Sequence, residues 1–335
     1  MDRILRAFGY RLYMGPAHGR GMYVGPISGR YDPGRPPPPE MEAQLHPAHP
    51  RLCELRERYR RLDSPLTDHT VWTDEHRRDG IDLRHFRGDN AYVWQLRYMG
   101  RRPARKYRAY ADYVRGLDRL GLLDRTEEDG AFGCWVFDDG QGRPVSRDLL
   151  DSINELYFLD RTWGLFDRVG FTVADIGAGY GRLAVRMASC VPGLRRYLCL
   201  DAIPESTFLS ELYVRFRGSA DRVLVVPLDE VDQCLAQNTP DLAVAVHSFS
   251  EMSSAAIDAW IARLASTGVK HLFVISNEAD EIYAADPGRR RNDAMPILDR
   301  HGYRLTVAEP ILRDEATRQV VGSDNHFLLF ELGEA

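Results

Sequence analysis

The second half of the chain alternates between short apolar runs and longer segments in which apolar residues recur at helical spacing. The apolar runs have the length of buried strands and lie at 171–176, 197–201, 222–226, 241–246 and 271–276. The helical segments lie at 181–190, 204–217 and 253–267, with a short helix after the third strand. Regular alternation of strand and helix requires crossover connections and predicts a mostly parallel sheet.

Further elements flank this alternation. A helix is predicted directly after Ser146, its expected N-cap, with Leu149 and Ile153 on its apolar side. At the other end, the strand-like runs 303–310 and 325–332 have no strong helical pattern between them. We expect these two runs to form a hairpin, which makes the last strand antiparallel.

The first half of the chain has a different character. Residues 1–50 are rich in Gly, Pro and Arg and include four consecutive prolines, which exclude a helix or a central strand there. The pattern of residues 51–146 predicts a mainly helical region, which we call the cap, and Asp139-Gly140 indicates a hairpin within it. We therefore divide the chain into an extended arm (1–50), this cap, and an α/β domain (147–335).

Composition narrows the class of protein. With 335 residues, 44% apolar and 28% charged, the chain has the composition of a soluble globular protein of about two domains. Its net charge of −5 argues against nucleic-acid binding, which favours a basic surface. The five cysteines lack metal-finger spacing, and neither a signal peptide nor a membrane span is evident. We expect a cytoplasmic protein with a small-molecule substrate, compatible with a homo-oligomer.

The loop after the first strand of the sheet carries the most specific motif. It reads Asp175-x-Gly177-x-Gly179-x-Gly181, which differs from the glycine spacing of dinucleotide turns. An acidic residue before the first glycine repels phosphate but suits an ammonium group, and the glycines let the backbone approach a flat ligand. S-adenosylmethionine has such an amino group and no phosphate. The motif thus favours this cofactor over NAD, with a purely structural turn as the alternative.

Acidic residues follow the next two strands. Asp201 ends the second strand about 20 residues after Gly181, where an acidic side chain can accept hydrogen bonds from both ribose hydroxyls. Asp229 follows the third strand, within reach of an adenine amino group. Either residue could instead begin the helix that comes after it.

The loop after the fourth strand offers residues for proton transfer. His247 leaves the strand at the sheet edge where Gly177 lies, and Glu251 follows four residues later. Methyl transfer to a hydroxyl needs a proton acceptor, and an unperturbed histidine titrates near neutral pH. We predict His247 as the base, with Glu251 orienting it, binding a substrate hydroxyl, or simply starting the next helix.

Polar residues at the same edge predict the acceptor side of the site. Asn277 and Glu278 follow the fifth strand, and Asp324 and His326 lie at the rim if 303–332 is a hairpin. Tyr157 is an aromatic residue that could stack on a sugar or an aglycone. Such groups suit a polyol; a divalent metal held with Glu251 is the less favoured interpretation, so no metal ligands are assigned.

These motifs together resemble the class I S-adenosylmethionine-dependent methyltransferases. The stretches "ADIGAGYGRLA", "LCLDAIPESTFLSELYVRF", "AVHSFSEM", "FVISNE" and "DNHFLLFEL" narrow the resemblance to the sugar O-methyltransferase family of natural-product gene clusters. The resemblance implies a Rossmann-like core with a C-terminal antiparallel hairpin. It also implies cofactor contacts at Asp175, Gly177, Gly179, Gly181 and Asp201, and acceptor-side roles near His247, Glu251, Asn277 and Glu278. Beside these positions, we expect Ala178, Tyr180 and Ala202 to contact the cofactor as well.

The expected activity is methyl transfer to a hydroxyl of a sugar or a glycosylated natural product, under a cap that closes over the acceptor. Other interpretations stay open: a phenol, macrolide hydroxyl or amine as acceptor, a metal-assisted reaction, or a cofactor-binding fold kept as an interaction protein.

Overall fold

The computed structural model describes residues 10–14, 22–26, 35–88, 103–288 and 290–333. The strands are, in chain order, β1 (Tyr10–Met14), β2 (Met22–Pro26), β3 (Phe137–Asp138), β4 (Pro144–Val145), β5 (Phe171–Ile176), β6 (Leu194–Leu200), β7 (Val223–Val226), β8 (Leu242–Val246), β9 (His271–Ser276), β10 (Tyr283–Asp286), β11 (Arg290–Asp293), β12 (Tyr303–Pro310) and β13 (His326–Leu332). The α-helices are α1 (Pro39–Glu42), α2 (Pro50–Arg60), α3 (Asp74–Gly80), α4 (Pro103–Leu117), α5 (Leu122–Arg125), α6 (Arg147–Trp163), α7 (Arg182–Cys190), α8 (Pro204–Phe216), α9 (Val231–Asn238), α10 (Ser254–Ser266), α11 (Met295–Arg300) and α12 (Glu315–Val321).

Seven of the described strands form one sheet, in the order β12-β13-β9-β8-β5-β6-β7. β13 runs antiparallel to both of its neighbours, and the other six strands share one direction. This is the Rossmann-like methyltransferase fold that the sequence predicted, including the antiparallel C-terminal strand. Because β5, β6, β8 and β9 run in parallel, their carboxyl ends meet at one edge of the sheet.

The strand pattern of the sequence corresponds closely to the sheet. All six residues of β5 are buried, which explains why this strand is mostly apolar. Ser146 caps α6 as predicted, since its hydroxyl accepts a hydrogen bond from the Leu149 amide at 3.1 Å. From α6, Phe158 packs against Phe273 of β9 and Phe327 of β13, with ring centroids 5.1 and 4.7 Å apart.

Several elements differ from the prediction. The helix α12 connects β12 and β13, where no strong helix was expected. The β10–β11 hairpin and α11 follow β9 without a clear signal in the sequence. Within the expected arm, β1 and β2 form an antiparallel pair, and Met41 and Leu45 are buried in the core. The predicted hairpin after residue 131 is reduced to the two-residue strands β3 and β4.

The cap and the α/β domain share one hydrophobic cluster, which includes Leu52 and Phe86 from the cap and Leu209 from α8. A buried ion cluster also joins them. The fully buried Arg87 guanidinium lies 2.8 Å from Glu128 and 3.1 Å from Asp148, and Arg186 of α7 lies 3.0 Å from Glu128. Burial alone would raise the pKa of Glu128, but Arg87 and Arg186 hold it at about 2.

No helix among the described ranges is both long and apolar enough to cross a membrane.

Removing Arg87 should destabilise the protein strongly. An Arg87→Leu substitution leaves buried carboxylates without their main counter-charge, so the free energy of unfolding should fall by about 3 kcal/mol. Arg84→Ala is the matched control, because Arg84 forms an exposed ion pair with Glu42; it should cost under about 1 kcal/mol. Urea denaturation measures both. Equal losses would contradict the role assigned to the buried cluster.

Candidate functional site

The glycine loop after β5 lies at the edge where the parallel strands end. Gly177, Gly179 and Gly181 adopt φ angles of +74°, +60° and +84°, which residues with a side chain rarely adopt. The loop is also tightly packed, because a Cβ at Gly177 would lie 2.4 Å from the Cβ of Ser248 in the loop after β8. The Gly177 amide donates to the Leu200 carbonyl at 2.8 Å. The loop is thus fixed against both neighbouring strands, with its backbone close to the sheet edge.

Asp175 lies directly before this loop and is buried. Its Oδ2 accepts a hydrogen bond from the Tyr197 hydroxyl at 2.8 Å, while its Oδ1 has no hydrogen-bond partner among the described residues. Burial raises the pKa of Asp175 to about 7, although the bond from Tyr197 favours the charged form. A buried carboxyl oxygen without a donor fits a cationic N–H group, such as the ammonium of S-adenosylmethionine.

Asp201, at the end of β6, binds the backbone of the same loop. Its Oδ2 accepts from the Gly179 amide at 2.9 Å and its Oδ1 from the Ile203 amide at 2.8 Å, just before α8. Asp201 therefore contributes to the start of α8, the alternative to a cofactor contact that the sequence left open. Each oxygen still keeps a lone pair that a ribose hydroxyl can use. Burial raises the pKa of Asp201 to about 7 despite both amide bonds.

Asp229 is bound by the cap. Its carboxylate pairs with the Arg58 guanidinium of α2, with the closest oxygen 2.7 Å away. The neighbouring Leu228 amide donates to the Tyr59 hydroxyl at 2.9 Å. α2 therefore covers the side of the sheet edge where an adenine contact was predicted, and that contact stays a prediction.

The other predicted loop contacts can use only their backbone. The Tyr180 ring packs against Tyr213 and Phe86, and its hydroxyl donates to Asp148, so the side chain belongs to the core. Ala202 is buried, and its backbone lies close to the imidazole of His69 from the cap.

His247 lies directly after β8 with a φ of +59°, an uncommon conformation for a histidine. Its backbone amide donates to the Ile275 carbonyl at 3.1 Å, and its Nδ1 is buried with no hydrogen-bond partner among the described residues. Burial, reinforced by the charges of Arg147 and Arg182, lowers the pKa of His247 to about 4. The expectation of an unperturbed imidazole is therefore wrong, because the ring is neutral at physiological pH and only weakly basic.

Glu251 ends the 3₁₀ helix Phe249–Glu251 that follows His247. Its Oε2 accepts a hydrogen bond from the indole Nε1 of Trp72 at 2.7 Å. Burial raises the pKa of Glu251 to about 7, although the indole favours the charged form. Of the two residues predicted for proton transfer, Glu251 is the one that titrates near neutral pH.

The predicted acceptor residues lie at the same edge. Asn277 donates to Ser250, and Glu278 forms an ion pair with Arg291 of β11. His326 opens β13 opposite Ser276, the last residue of β9, and its Nδ1 lies 3.0 Å from the Asp324 carbonyl. Asp324 itself is exposed. Within the described parts of the chain, no group of three or more His, Cys, Asp or Glu residues could hold a metal ion.

Tyr157 serves a different purpose from the one expected. Its hydroxyl donates to Asp118 at 2.6 Å and accepts from the Leu120 amide at 3.0 Å, so it fastens α6 to the segment after α4. Among the described residues, no contact links Tyr157 to Glu251 or His247.

Sequence reasoning missed the cap residues that cover the site: Tyr59, His69 and Trp72. No motif marks them, since each lies more than 130 residues before its partner in the α/β domain. In the sequence, the one sign that cap residues could cover the site was the aromatic and polar character of the cap.

A scan of protein-family models gives no match to this chain, and neither does a search of curated proteins. Solved structures with a similar fold include a SAM-dependent methyltransferase from Aquifex aeolicus, with 16% identity over 67% of this chain and 98% of that chain and a TM-score of 0.41. The cyclase SpnF has 16% identity over 59% and 86%, with a TM-score of 0.42. The StiE O-MT structure has 14% identity over 56% and 76%, with a TM-score of 0.40.

Substituting Gly177 should be more costly than substituting a glycine with the same backbone conformation in open space. Gly268 is the matched control, because its φ of +73° is nearly the same as that of Gly177 but nothing lies within 4 Å of its Cβ position. Gly268→Ala should cost about 1 kcal/mol from backbone strain. Gly177→Ala should cost at least about 1 kcal/mol more, because the new methyl group overlaps Ser248. Urea denaturation measures the difference, and equal costs would show that the packing of this loop is loose.

Proposed function

We propose that this protein is an S-adenosylmethionine-dependent O-methyltransferase that acts on a hydroxyl of a sugar or a glycosylated natural product. The observation that carries the proposal is the buried Oδ1 of Asp175, which has no donor among the described residues. It lies at the carboxyl end of β5, beside a glycine loop anchored to Asp201. In this fold, that edge of the sheet is where ligands bind.

The residues present fit the cofactor in a definite way. Asp175 would accept the ammonium group, Asp201 the ribose hydroxyls, and the backbone of Gly177–Gly181 would lie against the flat part of the ligand. When bound, S-adenosylmethionine supplies an electrophilic methyl group, whose transfer forms a carbon–oxygen bond at the acceptor and leaves the electron pair of the broken carbon–sulfur bond on sulfur.

The chain's own residues then have to orient the acceptor and take its proton. We assign the orienting hydrogen bond to His247, because its neutral ring keeps an unpartnered, buried nitrogen but is too weakly basic to hold the proton well. The proton goes to Glu251, whose pKa of about 7 suits reaction at neutral pH. The amide of Asn277 and the hydroxyl of Ser250 add hydrogen-bonding groups that match a polyol.

Binding of S-adenosylhomocysteine tests the cofactor assignment. Asp175→Asn should weaken its affinity about 10- to 100-fold, because a charge-assisted hydrogen bond to the ammonium is lost. Asp221→Asn is the control, since Asp221 is exposed and lies just before β7, at the opposite edge of the sheet. Isothermal titration calorimetry measures these affinities, and a separate titration with NAD shows which of the two candidate cofactors binds more tightly. A preference for NAD, or an unchanged affinity in Asp175→Asn, would contradict the assignment.

The same titration should depend on pH. An ammonium group favours the ionised form of Asp175, whose pKa in the free protein is about 7. Binding should therefore release protons, most strongly below pH 7, where the free acid is largely protonated, and progressively less above pH 7. Calorimetry in phosphate and in Tris separates this proton release from the binding heat. Asp175→Asn should release fewer protons than the wild type.

The acceptor side is tested by turnover. His247→Ala should keep its affinity for S-adenosylhomocysteine but lose about 100-fold or more in methyl transfer, because the acceptor hydroxyl is no longer oriented. Transfer of radiolabelled methyl to UDP-glucose, dTDP-rhamnose and a methyl rhamnoside measures this. His326→Ala, at the rim, is the control with a smaller expected loss. Normal turnover in His247→Ala would remove His247 from the proposal, and no transfer by the wild type to any sugar would contradict the sugar acceptor.

A further inference from the structure

A segment of the cap contacts residues of the proposed site. The bridging segment, residues 64–80, contains His69, whose largely buried imidazole lies close to the backbone of Ala202 after β6. Three residues later, Trp72 donates its indole Nε1–H to Glu251 after β8, at 2.7 Å. The segment therefore contacts the loops that follow β6 and β8, the two strands that flank β5 in the sheet.

Trp72 is held firmly in this position. Its side chain is buried, and its ring lies 4.9 Å from the ring of His76. The guanidinium of Arg77 donates to the Trp72 carbonyl at 2.9 Å and lies 3.4 Å from Glu205 at the start of α8. From α2, Arg56 also lies 2.8 Å from Glu205. The direction of the indole is thus set by contacts of the cap with the α/β domain.

We propose that Trp72 is a positioning residue, which holds the Glu251 carboxylate in place to receive the proton of the acceptor hydroxyl. The inference rests on the proposed function. As the acceptor oxygen bonds to the methyl carbon, its O–H bond breaks and the proton goes to Glu251. Because the donor to Glu251 comes from the cap, the proton acceptor is fully assembled only when the cap is docked.

Other charged groups lie on the elements that surround Glu251. Asp201 interacts with it electrostatically from the end of β6. The bridging segment brings His76 and Arg77, and β10, which packs against the 3₁₀ helix of Glu251, ends at Asp286, whose carboxylate is bonded to Ser254. Among the described residues, Trp72 is the hydrogen-bond donor to the Glu251 carboxyl group. Removing that donor should leave a carboxyl group that ionises at higher pH.

The pair can be tested in the ligand-free protein by NMR, without any turnover. The chain has five tryptophans, so an ¹H–¹⁵N spectrum of the wild type should contain few indole signals to assign. The signal lost in Trp72→Phe should move with pH, with a midpoint near 7, and the same signal should be present but stationary in Glu251→Gln. Trp163→Phe is the control, because the Trp163 indole has no acceptor among the described residues; it should remove a different signal and leave the titration unchanged. A Trp72 signal that still titrates in Glu251→Gln would overturn the inference.

The functional consequence is tested by the pH profile of kcat, with whichever of the three panel sugars the wild type methylates fastest. In the wild type, kcat should rise with pH around pH 7 as Glu251 ionises. In Trp72→Phe, this rise should shift to higher pH by about one unit, so that turnover recovers at high pH. Trp163→Phe should keep the wild-type profile. A loss of kcat in Trp72→Phe that is uniform across pH would mean a merely structural role and would overturn the inference. If the NMR titration is as expected but the wild type transfers no methyl group, the proposed function fails instead.

Discussion

Three carboxyl groups lie where the parallel strands end, those of Asp175 and Asp201 buried and that of Glu251 half-buried, and their desolvation shapes the whole site. Burial raises the pKa values of Asp175, Asp201 and Glu251 to about 7 each. Keeping such groups out of water costs free energy unless a proton, a donor or a cation compensates them. The backbone amide of Gly179 donates a hydrogen bond to Asp201 and the Trp72 indole donates one to Glu251. One oxygen of Asp175 has no donor among the described residues. A cationic ligand is therefore the natural complement of this edge.

The cap is tied to the α/β domain in two ways. Deep in the interface, the positive charge of Arg87 compensates the negative charges of Glu128 and Asp148, which would otherwise be buried without their main counter-charge. Nearer the surface, arginines of α2 pair with carboxylates of α8 and of the turn after β7. The buried cluster tolerates little change, whereas the partly exposed pairs contribute less to stability and weaken with salt.

The sequence predicted β5 and β9 to the residue, because strands buried on both faces are mostly apolar. It also placed Asp175, His247 and Asn277 at one edge, since parallel strands end together. What it could not provide were contacts between distant segments. Arg58 lies 171 residues from Asp229 and Trp72 lies 179 residues from Glu251, and no spacing rule links such pairs. The low pKa of His247 likewise depends on burial that only the folded chain creates.

The position of β13 between β9 and β12 has a consequence for the order in which the sheet can be completed. β12 precedes β13 in the chain but, among the described strands, pairs with the sheet only through β13. During synthesis, β12 must therefore wait until residues 326–332 have left the ribosome, and a break in the chain before His326 would detach two strands at once. Because His326 is also the strand residue beside the end of β9, this part of the sheet edge forms only after β13 has been synthesised and paired.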